Sequence, residues 1–398
     1  MSAVKQSPFI FLLLLFWIEI SASQAMAQSA ADPEWLPAFR LLQKELAPDK
    51  RTAILEVEVF GTKESYCLKG NTDLQNAKDS IGKWFTTNGI TIADSIRLLP
   101  EPSMGEKIWA LTTLSVSNLR TQPDHAAEMA TQALMGTPVK VLEYKDGWYR
   151  VQTPDNYIGW MEGLALERLS ATEMEAWKRS DRWIFIRLNG HVVKESNAKS
   201  EIVTDLVLDN ILEVVGEQNG FLHIKLPDGR QGWVRKKDCQ PWETWSNQIP
   251  TASNAIAMAK SLMGLPYLWG GTSPKAVDCS GLTKTSWFAQ GVILARDASQ
   301  QARYGGHPDA SEISNLQPGD LLFFGRNPQR VTHVGMYIGN GNYIHASGLV
   351  RINSIAPGTP GFNITDRKSL VATSRILGYL NTDGITLVKD HPWYHSLQ

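Results

Sequence analysis

Asp278-Cys279-Ser280-Gly281-Leu282, followed some fifty residues later by Thr332-His333-Val334-Gly335-Met336-Tyr337-Ile338-Gly339, is the sequence on which the reading of this chain turns. The first stretch predicts a helix from Cys279 to about Gln290. A cysteine in the first turn of a helix meets unpaired backbone N–H groups and the positive end of the helix dipole, which favour a thiolate. The second stretch predicts a strand with a histidine near its start. After the turn Gly339-Asn340-Gly341-Asn342, the strand Tyr343-Ile344-His345-Ala346-Ser347 returns with a second histidine. A histidine near neutral pKa can take a thiol proton and later deliver one to a departing amine.

Strand register then sets a condition. If Gly339-Asn340-Gly341 is a three-residue loop, Ile338 pairs with Asn342 and Gly335 faces His345. His333 then lies on the same face as His345, diagonal to it and within reach of a ring-to-ring hydrogen bond. A plain two-residue turn at Asn340-Gly341 would put the histidines on opposite faces. Taken singly, Cys279 reads equally well as a buried structural thiol, and each histidine as a satisfied sheet-edge residue. Taken together they supply nucleophile, base and orienting group, the three roles of a thiol peptidase.

Around these residues, a predicted helix from Ser253 to Met263 leads into Pro266-Tyr267-Leu268-Trp269-Gly270-Gly271, and Asp320-Leu321-Leu322-Phe323-Phe324 predicts a further strand. One helix carrying the cysteine on a mainly antiparallel sheet gives an α+β domain over residues 250–385. Pro241 to Pro250 reads as a linker in front of it.

Upstream lies an internal repeat. Residues 128–161 align without gaps on residues 201–234, an offset of 73, with Thr131 on Thr204, Val141 on Val214, Gly147 on Gly220, Pro154 on Pro227, Asp155 on Asp228 and Gly159-Trp160 on Gly232-Trp233. Short β-rich runs between Pro-Asp and Gly turns predict two small antiparallel barrels, over residues 106–172 and 180–242. Residues 28–105 read as an α+β segment, with a helix from Trp35 to Leu46, an alternating strand from Ala53 to Phe60 and a helix from Leu74 to Phe85. Residues 1–27 carry Lys5, an apolar run from Phe9 to Ile18 and Ala25-Met26-Ala27, the pattern of a secretory signal cleaved before Gln28. That run is shorter than the roughly 20 apolar residues needed to span a bilayer. The expected location is therefore the periplasm or the extracellular space, without a membrane anchor after cleavage.

Charge sorts partners. With 39 Lys+Arg against 40 Asp+Glu, the chain has no basic excess of the kind that binds nucleic acid. The 8 histidines are scattered, with no Cys-x-x-Cys pair and no His-Glu-x-x-His run, so neither metal nor cofactor is expected. Of the 3 cysteines, Cys67 and Cys239 read either as a disulfide or as two buried free thiols, which leaves Cys279 unpaired.

Tyr267-x-Trp269-Gly270-Gly271, Asp278-Cys279-Ser280-Gly281, Pro318-Gly319-Asp320-Leu321, His333-Val334-Gly335 and Ile344-His345-Ala346-Ser347 together resemble the NlpC-type cell-wall peptidases. The two repeat copies resemble bacterial SH3-like domains. The whole chain is similar to γ-D-glutamyl-L-diamino-acid dipeptidyl-peptidases. The resemblance implies a papain-like α+β catalytic domain with Cys279, His333 and His345 as its triad, and a thioester formed at the carbonyl after D-glutamate. It also implies Tyr267 as an oxyanion donor, with Trp269, Ser280, Asp297, Glu128 and Tyr157 around a substrate bearing a free N-terminal L-alanine. Asp297 would meet the substrate's ammonium, and Glu128 and Tyr157 of the first SH3-like copy would close the site. Tyr157 aligns with Arg230 in the second copy, as expected if only the first copy faces the site. The expected partner is thus an L-Ala-γ-D-Glu-diamino-acid peptide derived from peptidoglycan. Competing readings are an endopeptidase on polymeric peptidoglycan, a non-catalytic wall-binding protein and, more remotely, a lipid acyltransferase.

Overall fold

A computed structural model describes residues 32–62 and 65–395, so the signal-like residues 1–27 lie outside the described part. The chain divides into two compact units. One comprises the residues before Arg51 with Ile54–Leu98, the other Arg51–Ala53 with Leu99–Gln398.

In the first unit, helix α1 (Leu36–Leu46) precedes β1 (Leu55–Thr62) and β2 (Ser65–Thr72), which pair antiparallel; α2 (Gln75–Thr87) crosses over to β3 (Ile92–Leu98), parallel to β2. Apolar residues recurring at helical spacing in α2 bury Ala77, Ile81 and Phe85, which with Phe39, Leu68 and Ile96 form the core.

The second unit begins with two sheets that repeat each other. β4 (Trp109–Thr112), β5 (Val116–Arg120), β6 (Met129–Leu134), β7 (Pro138–Lys145), β8 (Trp148–Gln152), β9 (Ile158–Glu162) and β10 (Leu166–Leu169) form the first. After helix α3 (Ala171–Lys178), β11 (Arg182–Phe185), β12 (Asn189–Val193), β13 (Ile202–Val207), β14 (Ile211–Gln218), β15 (Phe221–Lys225), β16 (Gln231–Arg235) and β17 (Cys239–Pro241) form the second. Each strand of the second sheet starts 73 residues after its counterpart, and the two strand orders, β10-β4-β7-β8-β9-β5-β6 and β17-β11-β14-β15-β16-β12-β13, correspond strand for strand. The repeat therefore reaches beyond the aligned residues 128–161. Asp146-Gly147 and Asn219-Gly220 take positive φ at equivalent turns, the conformation that a tight hairpin demands. Both sheets remain open: the ladder orders end at β6 and β13 without returning to β10 and β17, so SH3-like sheets stand where closed barrels were expected.

The predicted linker proves to be structure. Trp242–Ser246 forms a short helix, α4, and Trp242 and Trp245, three residues apart, point the same way into a cluster with Trp177, Ile184, Ile293, Val388 and Tyr394. The Arg182 guanidinium lies 4.7 Å from the ring centres of both Trp177 and Trp242. This cluster draws on both sheets, the linker helix, the last domain and the C-terminal segment.

The last domain holds α5 (Ala252–Ser261), the short strands β18 (Thr272–Ser273) and β19 (Ala276–Val277), α6 (Cys279–Phe288), β20 (Val292–Leu294) and α7 (Ala298–Gln301). Its main sheet has β21 (Leu321–Gly325), β22 (Val331–Gly339), β23 (Asn342–Ser347), β24 (Leu349–Ser354) and, after α8 (Ile364–Ser369), β25 (Leu370–Ser374), in the order β24-β23-β22-β21-β25 and antiparallel throughout. β26 (Ile385–Leu387) pairs with β20. The core between α6 and the sheet contains Leu282, Trp287, Phe323, Val334, Met336 and Ile344, all with exposures of 0%.

Candidate active site

Helix α6 starts where its sequence says it should. Asp278 is the N-cap, extended at φ −92° and ψ −175°; its Oδ1 accepts the Gly281 N–H at 2.6 Å, while Oδ2 accepts that of Gly270 at 2.9 Å. Gly281 is needed for a steric reason: a Cβ there would lie 1.9 Å from the carbonyl oxygen of Gly271. Cys279 is consequently the first helical residue, with 6% of its surface exposed.

The thiol does not behave as its helix position alone suggests. Burial pushes it up to about 11, the neighbouring Asp278 carboxylate adds to that, and the amides of Val334 and Ser280 only partly offset it. Desolvation outweighs the helix terminus, so at neutral pH the resting group is a thiol. Its contact with the Val334 amide places it beside the strand position of His333.

The histidines share a face, but by a different route from the one expected. Gly335 does pair with His345, yet Gly339 pairs with Asn342, so the turn has two residues, Asn340 and Gly341, with φ +52° and +76°. The register shifts between Tyr337 and Gly339, and this bulge restores the parity that the two-residue turn would have broken. His333 Nε2 lies 2.8 Å from His345 Nδ1, the ring planes 77° apart.

Burial lowers His333 below its ordinary 6.5, while His345, lowered first by burial and then by His333 and Arg351, falls to about 4. Both rings are therefore neutral at neutral pH. For His333 Nδ1 to accept a proton, its Nε2–H must donate to His345 Nδ1, which leaves the His345 proton on Nε2. That nitrogen is buried and makes no hydrogen bond of ordinary geometry among the described residues. Because His345 resists protonation, it stays an acceptor when His333 becomes charged. A thiol, a neutral imidazole and a second imidazole behind it can perform nucleophilic attack with proton transfer.

Activity should then require His333 in its neutral form. Its value lies below the ordinary one, so kcat/KM is expected to be level at neutral pH and to fall as pH drops through a value below 6.5. A kcat/KM profile between pH 4 and 9 with its acid limb above 6.5 would contradict this.

Tyr267 is half-buried, its N–H donating to Gly348 O at 2.9 Å. Its phenol is pushed up to about 12 by burial and then by Cys279 and Asp278, which locates it close to the thiol. Trp269 is exposed at 59%, and its Nε1 donates to Glu128 Oε1 at 2.6 Å. Tyr157 OH donates to Asp297 Oδ2 at 3.1 Å. The first SH3-like sheet thus brings Glu128 and Tyr157 against the last domain, whereas Arg230, the counterpart of Tyr157, turns back onto Asp228 at an exposed position. Ser280 departs from expectation. It is buried and engaged, donating to Asp278 Oδ1 at 3.2 Å and accepting from Arg296 Nη1 at 3.0 Å.

Several participants escaped the sequence reading. Arg296, fully buried, grips Asp278 with Nη1 to Oδ1 at 3.2 Å and Nη2 to Oδ2 at 2.5 Å, and its Nε donates to Thr131 at 2.8 Å. Asp366 accepts from the Tyr343 hydroxyl and, at 3.2 Å, from Asn353, and its charge favours the protonated form of both histidines. Arg51 Nη1 donates to Asp297 Oδ2 at 2.7 Å. Their partners are distant in sequence, so no local spacing marked them. Cys67, half-buried, and Cys239, buried, are both free thiols.

A buried thiol at a helix start, packed beside the antiparallel strand that carries one of a pair of hydrogen-bonded histidines, defines a papain-like cysteine peptidase. Residues 264–362 match the NlpC/P60 family, and residues 119–166 match the bacterial dipeptidyl-peptidase Sh3 domain. The chain is 31% identical over 284 residues to a gamma-D-glutamyl-L-lysine dipeptidyl-peptidase of Bacillus cereus, an alignment covering 68% of this chain and 84% of that one. It is 28% identical to dipeptidyl-peptidase 6 of Lysinibacillus sphaericus, over 68% of this chain and 99% of that one. The crystal structure of an NlpC/P60 family protein from Bacillus cereus superposes with a TM-score of 0.57 at 26% identity, covering 67% of this chain and 99% of that one. The chain belongs to the NlpC/P60 family of cell-wall peptidases.

Proposed function

We propose that this protein hydrolyses the γ-D-glutamyl–L-diamino-acid bond of peptidoglycan-derived peptides that begin with a free L-alanine. Cys279 Sγ attacks the carbonyl after D-glutamate as its proton passes to His333 Nδ1, and His345 holds the His333 ring. The Cys279 N–H and the Tyr267 hydroxyl stabilise the oxyanion. His333 then protonates the departing amine as the C–N bond breaks, leaving a thioester. Water, deprotonated by His333, cleaves the thioester, and the proton returns to the thiol. The signal-like start supports action in the periplasm or outside the cell, and no described helix is long and apolar enough to cross a membrane.

The observation that carries the substrate reading is the pairing of two carboxylates with aromatic donors at the rim, Glu128 with Trp269 and Asp297 with Tyr157. Acidic groups in that position suit an ammonium. Among the described residues no basic side chain pairs with Glu128, so one of the two acids is uncompensated. The relatives named gamma-D-glutamyl-L-lysine dipeptidyl-peptidases support the same bond.

The test is incubation with L-Ala-γ-D-Glu-diaminopimelate, its N-acetylated form and intact sacculi, with Cys279→Ala as control. The free-amine peptide should be cleaved roughly 10- to 100-fold more efficiently than the acetylated one, the worth of a charge-assisted hydrogen bond. Equal cleavage of both would sink amine recognition. Preference for sacculi would assign the protein to polymeric wall.

A further inference from the structure

Asp297, the acid that would meet the substrate's ammonium, already has a cation. Arg51 belongs to the three residues, Arg51–Ala53, that pack with the peptidase unit rather than with the chain on either side of them. This segment is pinned by its backbone: the Ile158 N–H donates to Arg51 O at 2.7 Å, and Gln152 Nε2 reaches Thr52 O at 3.4 Å. From that anchor Arg51 Nη1 donates to Asp297 Oδ2 at 2.7 Å and to Ser299 Oγ at 3.0 Å. Tyr157 OH donates to the same Oδ2, and Oδ1 lies 3.9 Å from Arg296 Nη1, itself engaged with Asp278 and Ser280.

The charge count is informative. Asp278 and Asp297 balance Arg296 and Arg51, so the cluster is neutral with Arg51 in place and carries one negative charge without it. Arg296 is buried and committed, whereas the side chains of Arg51 and Asp297 are 32% and 27% exposed. Only the Arg51 arm of the cluster is open to solvent and to exchange.

We propose that Arg51 is a built-in competitor for the amine subsite: its guanidinium occupies Asp297 until a free amino terminus displaces it. The inference rests on the amine-recognition reading above and adds a competing cation for the same carboxylate. A cationic end can replace the guanidinium at no loss of ionic pairing. A neutral, acylated end gains nothing at Asp297 that offsets breaking the ion pair, so it binds with the guanidinium still in place and does not feel the competition. Because the pair is about a third exposed, its strength is modest.

The experiment compares wild type, Arg51→Ala and Arg51→Lys on L-Ala-γ-D-Glu-diaminopimelate and its N-acetylated form, with thermal unfolding as a check on folding. For the free-amine peptide, Arg51→Ala should lower KM about two- to fivefold with kcat unchanged, the range an exposed ion pair supports. The acetylated peptide should show no matching gain, and Arg51→Lys should return KM toward the wild-type value. An unchanged or raised KM in Arg51→Ala, or an equal shift for both peptides, would overturn the competitor role while leaving amine recognition intact. Equal cleavage of both peptides by the wild type would instead defeat amine recognition, and this proposal with it.

Discussion

Cys279→Ala is expected to lower kcat/KM on the free-amine peptide by roughly 10⁴- to 10⁶-fold, the scale seen when a nucleophile is removed from a peptidase. The fold should survive, because Asp278 caps the helix through its own side chain and does not need the thiol. The resting group is a thiol, raised to about 11, so it depends on a base to reach the reactive form. His333→Ala should therefore cost a comparable factor, and the double variant little more than either single one, because the two residues act as one unit. Steady-state kinetics on the three variants, with circular dichroism to verify folding, measure this. Additive losses would mean that Cys279 and His333 do not work on the same proton.

The second large effect concerns stability. Arg296→Met should destabilise the peptidase unit by about 3–5 kcal/mol, because it leaves the Asp278 carboxylate buried without its counter-charge. Asp278 is 5% exposed and Arg296 1% exposed, so solvent cannot compensate. The variant also loses the link to Thr131 that ties the first SH3-like sheet to the start of α6. Asp278→Asn combined with Arg296→Met should recover part of the loss, since asparagine keeps one cap acceptor and brings no buried charge, while its amide nitrogen cannot accept from the second N–H, that of Gly270. Urea unfolding midpoints of the two variants decide it. A single variant as stable as wild type would show that the ion pair is dispensable.

The proposed mechanism also joins the two histidines through one requirement. In that mechanism His345 would orient His333 without taking its proton, and its fall to about 4 suits it to remain an acceptor. Burial, then His333, and then Arg351, which stands opposite His345 in the register, produce that fall. Asp366 opposes it from α8 and so moderates the pair.

What the sequence determined by itself was whatever depends on neighbours along the chain. The N-cap at Asp278 follows from a short polar side chain before a helical run. The strands at His333 and His345 follow from apolar alternation around a glycine–asparagine turn, and the repeat follows from a constant offset that the strands obey throughout. Local patterns carry these because the hydrogen bonds that make helices, hairpins and caps close within a few residues.

Only the tertiary structure decided the remainder. The hairpin register needed a bulge at Ile338, which no local residue type demands, because the cost of an unpaired residue is offset by packing across the sheet. The linker became a helix because two tryptophans found a core built from distant segments. The thiol's protonation was set by burial, a property of everything packed around it. Arg296 and Arg51 joined the site from 165 and 246 residues away from their partners Thr131 and Asp297, respectively. Electrostatic pairing depends on distance in space, and sequence separation carries no record of that distance until the chain is folded.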